Sequence, residues 1–289
     1  MTIGADSKIL TRLEEWERKE GTLPKSLEFY RGLLRIQSEA RSRIGVPRID
    51  LSEEAISSLI EQGIPLLKFD DLSIDWSLLQ KIFEDVNGLV TSNSEALGQA
   101  SETPKDSSSS PTFLREASEA WFEGAQLASW TAVSGVSEVL LEAVLHAALR
   151  PFLISYCEAL LGSVNQEQWR RGYCPICGGN PDFAFLEKER GGRWLLCSRC
   201  DAEWVFQRLE CPYCGTRNQD ALAFFTDDKG LYRLYVCEQC RTYLKAIDLR
   251  CAEGEVFLPL ERVMTLDLDK QGQEKGYSPG GQVSKRVVS

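Results

Sequence analysis

The sequence is poor in the residues and motifs on which common enzyme chemistries depend. It has a single histidine, His146, among 289 residues. It contains no nucleophile elbow, P-loop, GxGxxG fingerprint or HExxH motif. His146 lies in the apolar run Leu-His-Ala-Ala-Leu, which favours a core or helix-surface histidine over a catalytic or metal-binding one. We therefore expect a binding protein and not an enzyme.

Three further absences narrow the class of protein. No uninterrupted apolar run approaches the roughly 20 residues of a membrane span, and the first ten residues lack the basic and then apolar pattern of a secretory signal. The net charge is −10, and residues 173–289 carry 16 basic and 17 acidic side chains. A nucleic-acid-binding surface needs an excess of Lys and Arg. We expect a cytoplasmic protein without a membrane span and without a nucleic-acid partner.

Cysteine, by contrast, is abundant. Eight of the ten cysteines form four C-x-x-C pairs, and a chain without an export signal points to metal ligation rather than disulfides. Nineteen residues separate the first two pairs and twenty-two the last two, close to the usual spacing of roughly 15–20 for a four-thiolate site. The candidate metal ligands are Cys174, Cys177, Cys197, Cys200, Cys211, Cys214, Cys237 and Cys240.

Two of the pairs have the form C-P-x-C-G, at residues 174–178 and 211–215. Proline after the first cysteine stiffens the turn. Glycine after the second permits a positive φ, which turns backbone N–H groups towards the sulfurs. Four thiolates around a tetrahedral ion leave no open position for substrate, so such sites are structural rather than catalytic.

The cysteine region is an internal repeat with an offset of 37 to 40 residues. Each copy has a C-P-x-C-G turn, an apolar segment, a charged turn with glycine, a second apolar segment and a further C-x-x-C pair. This pattern predicts a metal-clamped β-hairpin made twice. The repeat favours consecutive grouping of the pairs, one site at 174/177/197/200 and one at 211/214/237/240. An interleaved grouping stays open, because spacing alone does not fix ligand topology.

Upstream of the cysteines the pattern is helical. Apolar residues recur at helical spacing through residues 7–90, with an expected helix start at Ser52 and an end at Gly63, and again through residues 112–163, where Pro151 should kink or divide a buried helix. A flexible Ser-rich loop is expected at about 91–112. The fold class is therefore α+β: an all-helical domain at 1–170 and two tandem rubredoxin-like or zinc-ribbon modules at 171–209 and 210–268. The second module should end in a closing strand near Glu255 and a short helix, before a loose tail at 269–289.

Other chemistries could use the same residues. All-sulfur tetrahedral ligation suits iron and zinc alike, whereas iron–sulfur clusters usually have other cysteine spacings. A thiol–disulfide enzyme would need only one C-x-x-C pair. A zinc ribbon that binds nucleic acid or serves transcription is the alternative function, since aromatic residues of the repeat could stack bases, although packing is the better explanation. These aromatic residues are Trp194, Trp204, Tyr213, Tyr235 and Tyr243. Cys157 and Cys251 are expected to serve packing.

The motif series resembles the formate dehydrogenase accessory (formation) protein family, FdhE. The resemblance rests on the order C-x-x-C, C-x-x-C-x-x-E-W, C-x-x-C and C-x-x-C-x-T-Y-L-K, and it is strong over about residues 169–250. It implies a cytoplasmic, non-enzymatic factor that binds the catalytic subunit of formate dehydrogenase and supports its maturation. It also implies two metal ions held by the eight cysteines, with iron favoured over zinc. No partner-binding residues follow from it, and the oligomeric state is not predicted.

Overall fold

The computed structural model describes residues 3–93 and 110–280. The described residues form two compact units. One lies within Met1–Arg48 and Phe69–Ser155, and the other within Ile49–Lys68 and Tyr156–Val283. The second unit thus takes a short stretch from the first part of the chain, which the sequence assigns to the helical domain. Most of the Ser-rich loop expected at 91–112, and the last nine residues of the expected tail, lie outside the described residues.

The first unit is helical, as the apolar spacing predicts. Asp75 and Ser110 cap the helices that follow them, because their side chains accept hydrogen bonds from the backbone N–H groups of Leu78 and Phe113. The buried faces of these helices supply large apolar side chains to one core. The helices are α1 at Ile3–Glu20, α2 at Lys25–Arg43, α4 at Trp76–Ser92, α5 at Pro111–Glu123, α6 at Ala128–Ser134 and α7 at Glu138–Leu160, with α3 at Glu53–Gln62 in the second unit.

Helix α7 is continuous through Pro151, so of the two expected outcomes, a kink or a division, the division is wrong. Proline in a helix interior costs about 3 kcal/mol. Its neighbours Leu149, Phe152 and Leu153 are at most 2% exposed, and burial of each such side chain stabilises the fold by about 1.5–3 kcal/mol. The stretch Glu138–Ser163 is long and apolar enough to cross a membrane by length and composition, with 67% of its most apolar window buried inside the protein. A core helix of this kind meets the same criteria.

The second unit contains one sheet of seven strands. Its order is β3-β2-β1-β6-β5-β4, with β7 beside β6. The two predicted hairpins are present as β1–β2 and β4–β5, both antiparallel. Strand β6 joins them, since it is parallel to β1 and antiparallel to β5. The strands are β1 at Pro181–Leu186, β2 at Arg193–Cys197, β3 at Glu203–Val205, β4 at Leu222–Thr226, β5 at Tyr232–Cys237, β6 at Thr242–Asp248 and β7 at Ser278–Pro279.

Strand β6 was not predicted, and the closing strand expected near Glu255 is absent. All seven residues of β6 are buried, so the strand lacks the apolar–polar alternation by which half-buried strands are found. Instead of a closing strand, the chain forms α8 at Leu258–Met264 and α9 at Leu266–Glu274. These helices cover apolar residues of the sheet, among them Ile247 and Leu234. Helix α9 and β7 occupy part of the stretch expected to be a loose tail.

The two cysteine modules approach each other closely at Gly172. A Cβ atom added there would lie 2.0 Å from the carbonyl oxygen of Pro212. Gly172→Ala should therefore destabilise the protein by about 1–3 kcal/mol, because the backbone must shift to remove the overlap. Gly162→Ala is the matched control, since no atom lies within 4 Å of its added Cβ. Urea unfolding of both variants measures the difference, and equal midpoints would contradict this packing.

Candidate metal centres

The first cysteine cluster consists of Cys174, Cys177, Cys197 and Cys200. The Sγ atoms of Cys174 and Cys200 are 3.6 Å apart, and Cys177 Sγ lies 3.5 Å from both Cys197 Sγ and Cys200 Sγ. A tetrahedron with metal–sulfur bonds of about 2.3 Å has edges of about 3.8 Å. All four side chains are buried. The spacing and the burial both fit a four-thiolate metal ion.

The second cluster groups Cys211, Cys214, Cys237 and Cys240. The distance from Cys211 Sγ to Cys240 Sγ is 3.7 Å, as is that from Cys214 Sγ to Cys237 Sγ. Cys214 and Cys240 are only half-buried. Both clusters have all their ligand atoms within 4.8 Å of one another. The structure thus groups the pairs consecutively and not in the interleaved arrangement.

The turn at each C-x-x-C pair places one residue in the left-handed region of φ. Gly178 and Gly215 have φ of 71° and 72°, which the sequence predicted from the glycine after each C-P-x-C. At the other two pairs this position is taken by Asp201 and Arg241, with φ of 55° and 54°. Non-glycine residues rarely adopt this conformation. All four pairs therefore share one turn geometry, although only two are followed by the glycine from which the sequence predicts that geometry.

Backbone N–H groups point at the sulfurs, as these turns require. Ile176 N–H donates to Cys174 Sγ at 3.3 Å, and Arg199 N–H donates to Cys197 Sγ at 3.4 Å. In the second cluster Cys211 accepts hydrogen bonds from backbone N–H groups of its own turn. Such donors stabilise negative sulfur and orient the ligands of a metal ion.

The thiols themselves are strongly perturbed. Burial raises the pKa of Cys174 and Cys200 well above the ordinary thiol value, and it raises the pKa of Cys237 to about 11. Hydrogen bonds from the neighbouring cysteines lower the pKa of Cys177. Without a counter-ion, Cys174, Cys200 and Cys237 favour the protonated form, because a charge in an apolar setting is poorly solvated. A bound cation would remove that penalty.

Metal affinity should therefore depend steeply on pH. Cys174 and Cys200 stay protonated at neutral pH in the metal-free protein, and a metal ion needs them as thiolates. If about two protons leave per ion, the apparent affinity of the first site falls by about 100-fold for each unit of decrease in pH. Anaerobic competition with a chromophoric chelator at pH 6 and pH 8 measures this slope. An affinity independent of pH would contradict thiolate ligation.

Segments distant in the sequence support the first cluster. The backbone N–H groups of Leu66 and Leu67 donate to the carbonyl oxygens of Pro175 and Ile176, both at 2.9 Å. This explains why residues 49–68 belong to the second unit. The contact of Leu66 and Leu67 with the first turn could not be foreseen, since no local pattern encodes it.

The aromatic and polar residues of the motif series also have structural roles. Trp204 is fully buried, and its Nε1 donates to the carbonyl oxygen of Arg171 at 2.9 Å. Lys245 is buried, and its Nζ donates to Asp269 of α9 and to the carbonyl oxygen of Arg262 of α8 at 2.5 and 2.9 Å. The E-W and T-Y-L-K signatures thus hold the sheet and its helices together around the clusters.

The remaining aromatic candidates are packed too. Tyr213 and Tyr243 are buried, while Trp194 and Tyr235 are half-buried. Trp194 stacks on Phe185 with ring centroids 5.9 Å apart, and Phe224 packs against Tyr235 at 5.6 Å. These positions fit hydrophobic packing rather than an open platform for bases.

Cys157 and Cys251 are expected to serve packing, and His146 is expected to be a core or helix-surface histidine. Cys157 is buried, as expected; burial raises the pKa of Cys200 and the Cys157 thiol adds to that shift, which the sequence did not indicate. Cys251 is exposed, so the expectation that it serves packing is wrong, and it belongs to neither cluster. His146 stacks on Trp121 with centroids 5.6 Å apart and also belongs to neither cluster.

Together, the fold and the site define an α+β protein whose sheet carries two four-cysteine sites suited to metal ions. Comparison with known proteins gives a more specific result. The sequence model of the FdhE central domain matches residues 173–208. An FdhE homologue of Aquifex aeolicus is 27% identical over 261 residues, which are 87% of this chain and 84% of the relative. An FdhE homologue of Stutzerimonas stutzeri is 36% identical over 110 residues, about a third of each chain.

The fold agrees as well. The crystal structure of the FdhE protein from Pseudomonas aeruginosa matches with a TM-score of 0.55 and 23% identity, over 88% of this chain and 87% of that one. The resemblance to the FdhE family drawn from the cysteine motifs is confirmed, because the family model, these relatives and the solved structure all belong to that family.

Proposed function

We propose that the protein is a cytoplasmic, non-enzymatic accessory factor that binds the catalytic subunit of formate dehydrogenase and supports its maturation. The observation that carries the proposal is the pair of closed all-cysteine clusters in a chain that resembles the FdhE family. A tetrahedral ion held by four protein thiolates has no position left for a substrate. The clusters would therefore act by fixing a surface that a partner recognises.

The eight cysteines would hold two metal ions, either iron or zinc. Their all-sulfur, tetrahedral arrangement suits both ions, and the family resemblance favours iron. Iron in four thiolates can change its oxidation state, whereas zinc cannot. Iron would thus allow the factor to respond to redox conditions in addition to its structural role.

The partner proposal is tested by anaerobic capture from cells grown on formate, with the tagged full chain as bait. Mass spectrometry should identify the catalytic subunit of formate dehydrogenase as enriched over an unrelated tagged protein. Elemental analysis of the same eluate should give about two metal ions per bait chain. Metal without this partner would overturn the accessory function and leave the metal sites standing.

A paired variant connects the clusters to the function. Cys174→Ser/Cys177→Ser should lose protease resistance in the first hairpin and lose capture of the catalytic subunit, because folding of a metal-clamped module depends on its ion. Cys251→Ser is the matched control, since this exposed cysteine lies outside both clusters. If the double variant keeps both its protease resistance and its partner, the clusters do not support binding.

A salt titration addresses the nucleic-acid alternative. A ribbon that binds DNA or RNA shows affinity that falls steeply with salt, because counterions are released from the phosphates. The chain should instead show a flat titration with both nucleic acids at low salt. Measurable salt-sensitive binding would favour the alternative over the accessory function.

A further inference from the structure

The two edge strands of the sheet, β3 and β4, differ in how well they are protected against pairing with another chain. At one edge, β3 has three residues, and the outward backbone N–H of Val205 is taken by the side chain of Gln166 at 3.1 Å. Glu203 adds a charge on the same strand. Short, capped and charged edges resist pairing with other chains. The other edge, β4, has none of these protections among the residues that the structure describes.

The hydrogen bonds of β4 show which of its backbone groups face outward. Asp227 N–H donates to Tyr232 O, and Glu238 N–H donates to Ala221 O. In the register of β4 and β5 these are hydrogen-bonded pairs. Ala223 and Phe225 alternate in step with Ala221 and Asp227, so their backbone groups also pair with β5. Leu222, Phe224 and Thr226 alternate with them and direct their backbone groups to the free edge. Within the described part of the chain, no strand pairs with that edge.

The side chains of β4 are apolar and exposed on both faces. Phe224 is 50% exposed and packs beside Tyr235 on one face. Phe225 is 42% exposed and lies on the other face, where the Lys275 ammonium is 4.7 Å from its ring centroid. The other strands of the sheet bury most of their large apolar side chains. A five-residue strand with free backbone groups and two exposed phenylalanines has the features of a strand-addition site.

Acidic residues at both ends of β4 determine which charges a strand that pairs with it should carry. Asp220 and Asp228 are exposed and stand four residues before and after Phe224. Asp220 and Asp228 flank the strand, so in a second copy paired antiparallel about Phe224 the acidic ends of the two copies would lie close together twice, and neighbouring like charges are destabilising. An extended segment with basic residues at both ends would place opposite charges there instead. The charge pattern thus disfavours self-pairing and favours a basic-ended partner strand.

We propose that β4 accepts an extended segment of another protein by antiparallel strand addition, and that this segment has about five apolar residues between basic ends. The source of this segment follows from the proposed function, on which this proposal rests. It would be a stretch of the catalytic subunit of formate dehydrogenase that is still unpaired before that subunit is complete. A finished globular partner has few such stretches, since its strands are already paired.

The test uses the full metal-loaded chain and a nine-residue probe peptide with five β-branched apolar residues and a threonine and a lysine at each end. Fluorescence anisotropy should show saturable binding. Thr226→Pro should weaken it at least about tenfold, because proline removes an outward N–H and blocks the edge without breaking a β4–β5 bond. Unchanged metal content and near-ultraviolet circular dichroism would show that this variant is folded.

A second experiment reverses the charges at the ends of β4. Asp220→Lys/Asp228→Lys should weaken binding of the lysine-ended peptide and strengthen that of a glutamate-ended one, each by about two- to tenfold at low salt. Equal binding by Thr226→Pro, or indifference to the peptide ends, would overturn the proposal. So would a concentration-dependent dimer that Thr226→Pro abolishes, because a second copy would then occupy the edge.

The two proposals fail in different ways. If Thr226→Pro captures the catalytic subunit as well as the unaltered chain does, the strand-addition site is wrong and the accessory function stands. If the peptide binds as described but the unaltered chain captures no catalytic subunit, the edge accepts strands and the proposed partner is wrong.

Discussion

Replacing Cys200 with serine should reduce the metal content from about two ions per chain to about one and unfold the first hairpin. Cys200 is 1% exposed, and its Sγ lies 3.6 Å from Cys174 Sγ and 3.5 Å from Cys177 Sγ in the first cluster. Serine is too weak a ligand to replace a thiolate. Structural metal ions of this kind contribute about 10–16 kcal/mol of binding free energy at neutral pH, which exceeds the net stability of most domains.

Elemental analysis gives the metal count, and limited proteolysis reports the hairpin through cleavage between β1 and β2. Cys251→Ser should match the unaltered protein in both measurements, because it removes a cysteine that no cluster contains. Two ions per chain in Cys200→Ser, with the hairpin still resistant, would mean that the first cluster is not a metal site.

Arg262→Met should destabilise the sheet unit by about 3–5 kcal/mol, because it removes the guanidinium that pairs with the buried Asp201 and the half-buried Asp182. Arg262 Nε lies 2.9 Å from Asp182 Oδ2, and its Nη1 lies 3.1 Å from Asp201 Oδ1. Its Nη2 also donates to the carbonyl oxygen of Cys197, a cluster residue. Burial raises the pKa of Asp182, and the nearby Arg262 opposes that shift.

Arg217→Met is the matched control. Arg217 is paired with Glu210 at 2.7 Å but is 68% exposed, and such surface pairs contribute about 0–1 kcal/mol. Urea unfolding of both variants compares them directly. Adding Asp182→Asn to Arg262→Met should recover part of the loss, since the amide carries no charge. Similar midpoints for Arg262→Met and Arg217→Met would contradict a supporting role for the buried pair.

The candidate site was largely predictable because its chemistry is local. Two cysteines with two residues between them bring their sulfurs to one side of a turn, and a repeat offset of 37 to 40 residues reveals which turns belong together. The glycines after Cys177 and Cys214 indicate a positive φ at those positions. Asp201 and Arg241 adopt the same conformation, but their side chains give no such signal, since either residue is ordinary in any turn.

The rest depends on contacts between distant parts of the chain. Strand β6 was missed because complete burial erases its alternation, and its place between the two hairpins follows from long-range pairing. The link from Leu66 to Pro175 spans more than a hundred residues with no shared motif. Pro151 does not divide α7, because the burial of its neighbours outweighs one missing hydrogen bond. In each of these cases tertiary packing outweighs the local secondary-structure propensity of the sequence.

Each four-cysteine cluster is expected to hold one metal ion. Protein purified without oxygen should contain about two ions per chain, and X-ray absorption at the edge of that metal should show four sulfur neighbours at about 2.3 Å and no nitrogen or oxygen ligands. Metal-free protein, with its thiols reactive or joined in disulfides while the sheet stays folded, would contradict the account.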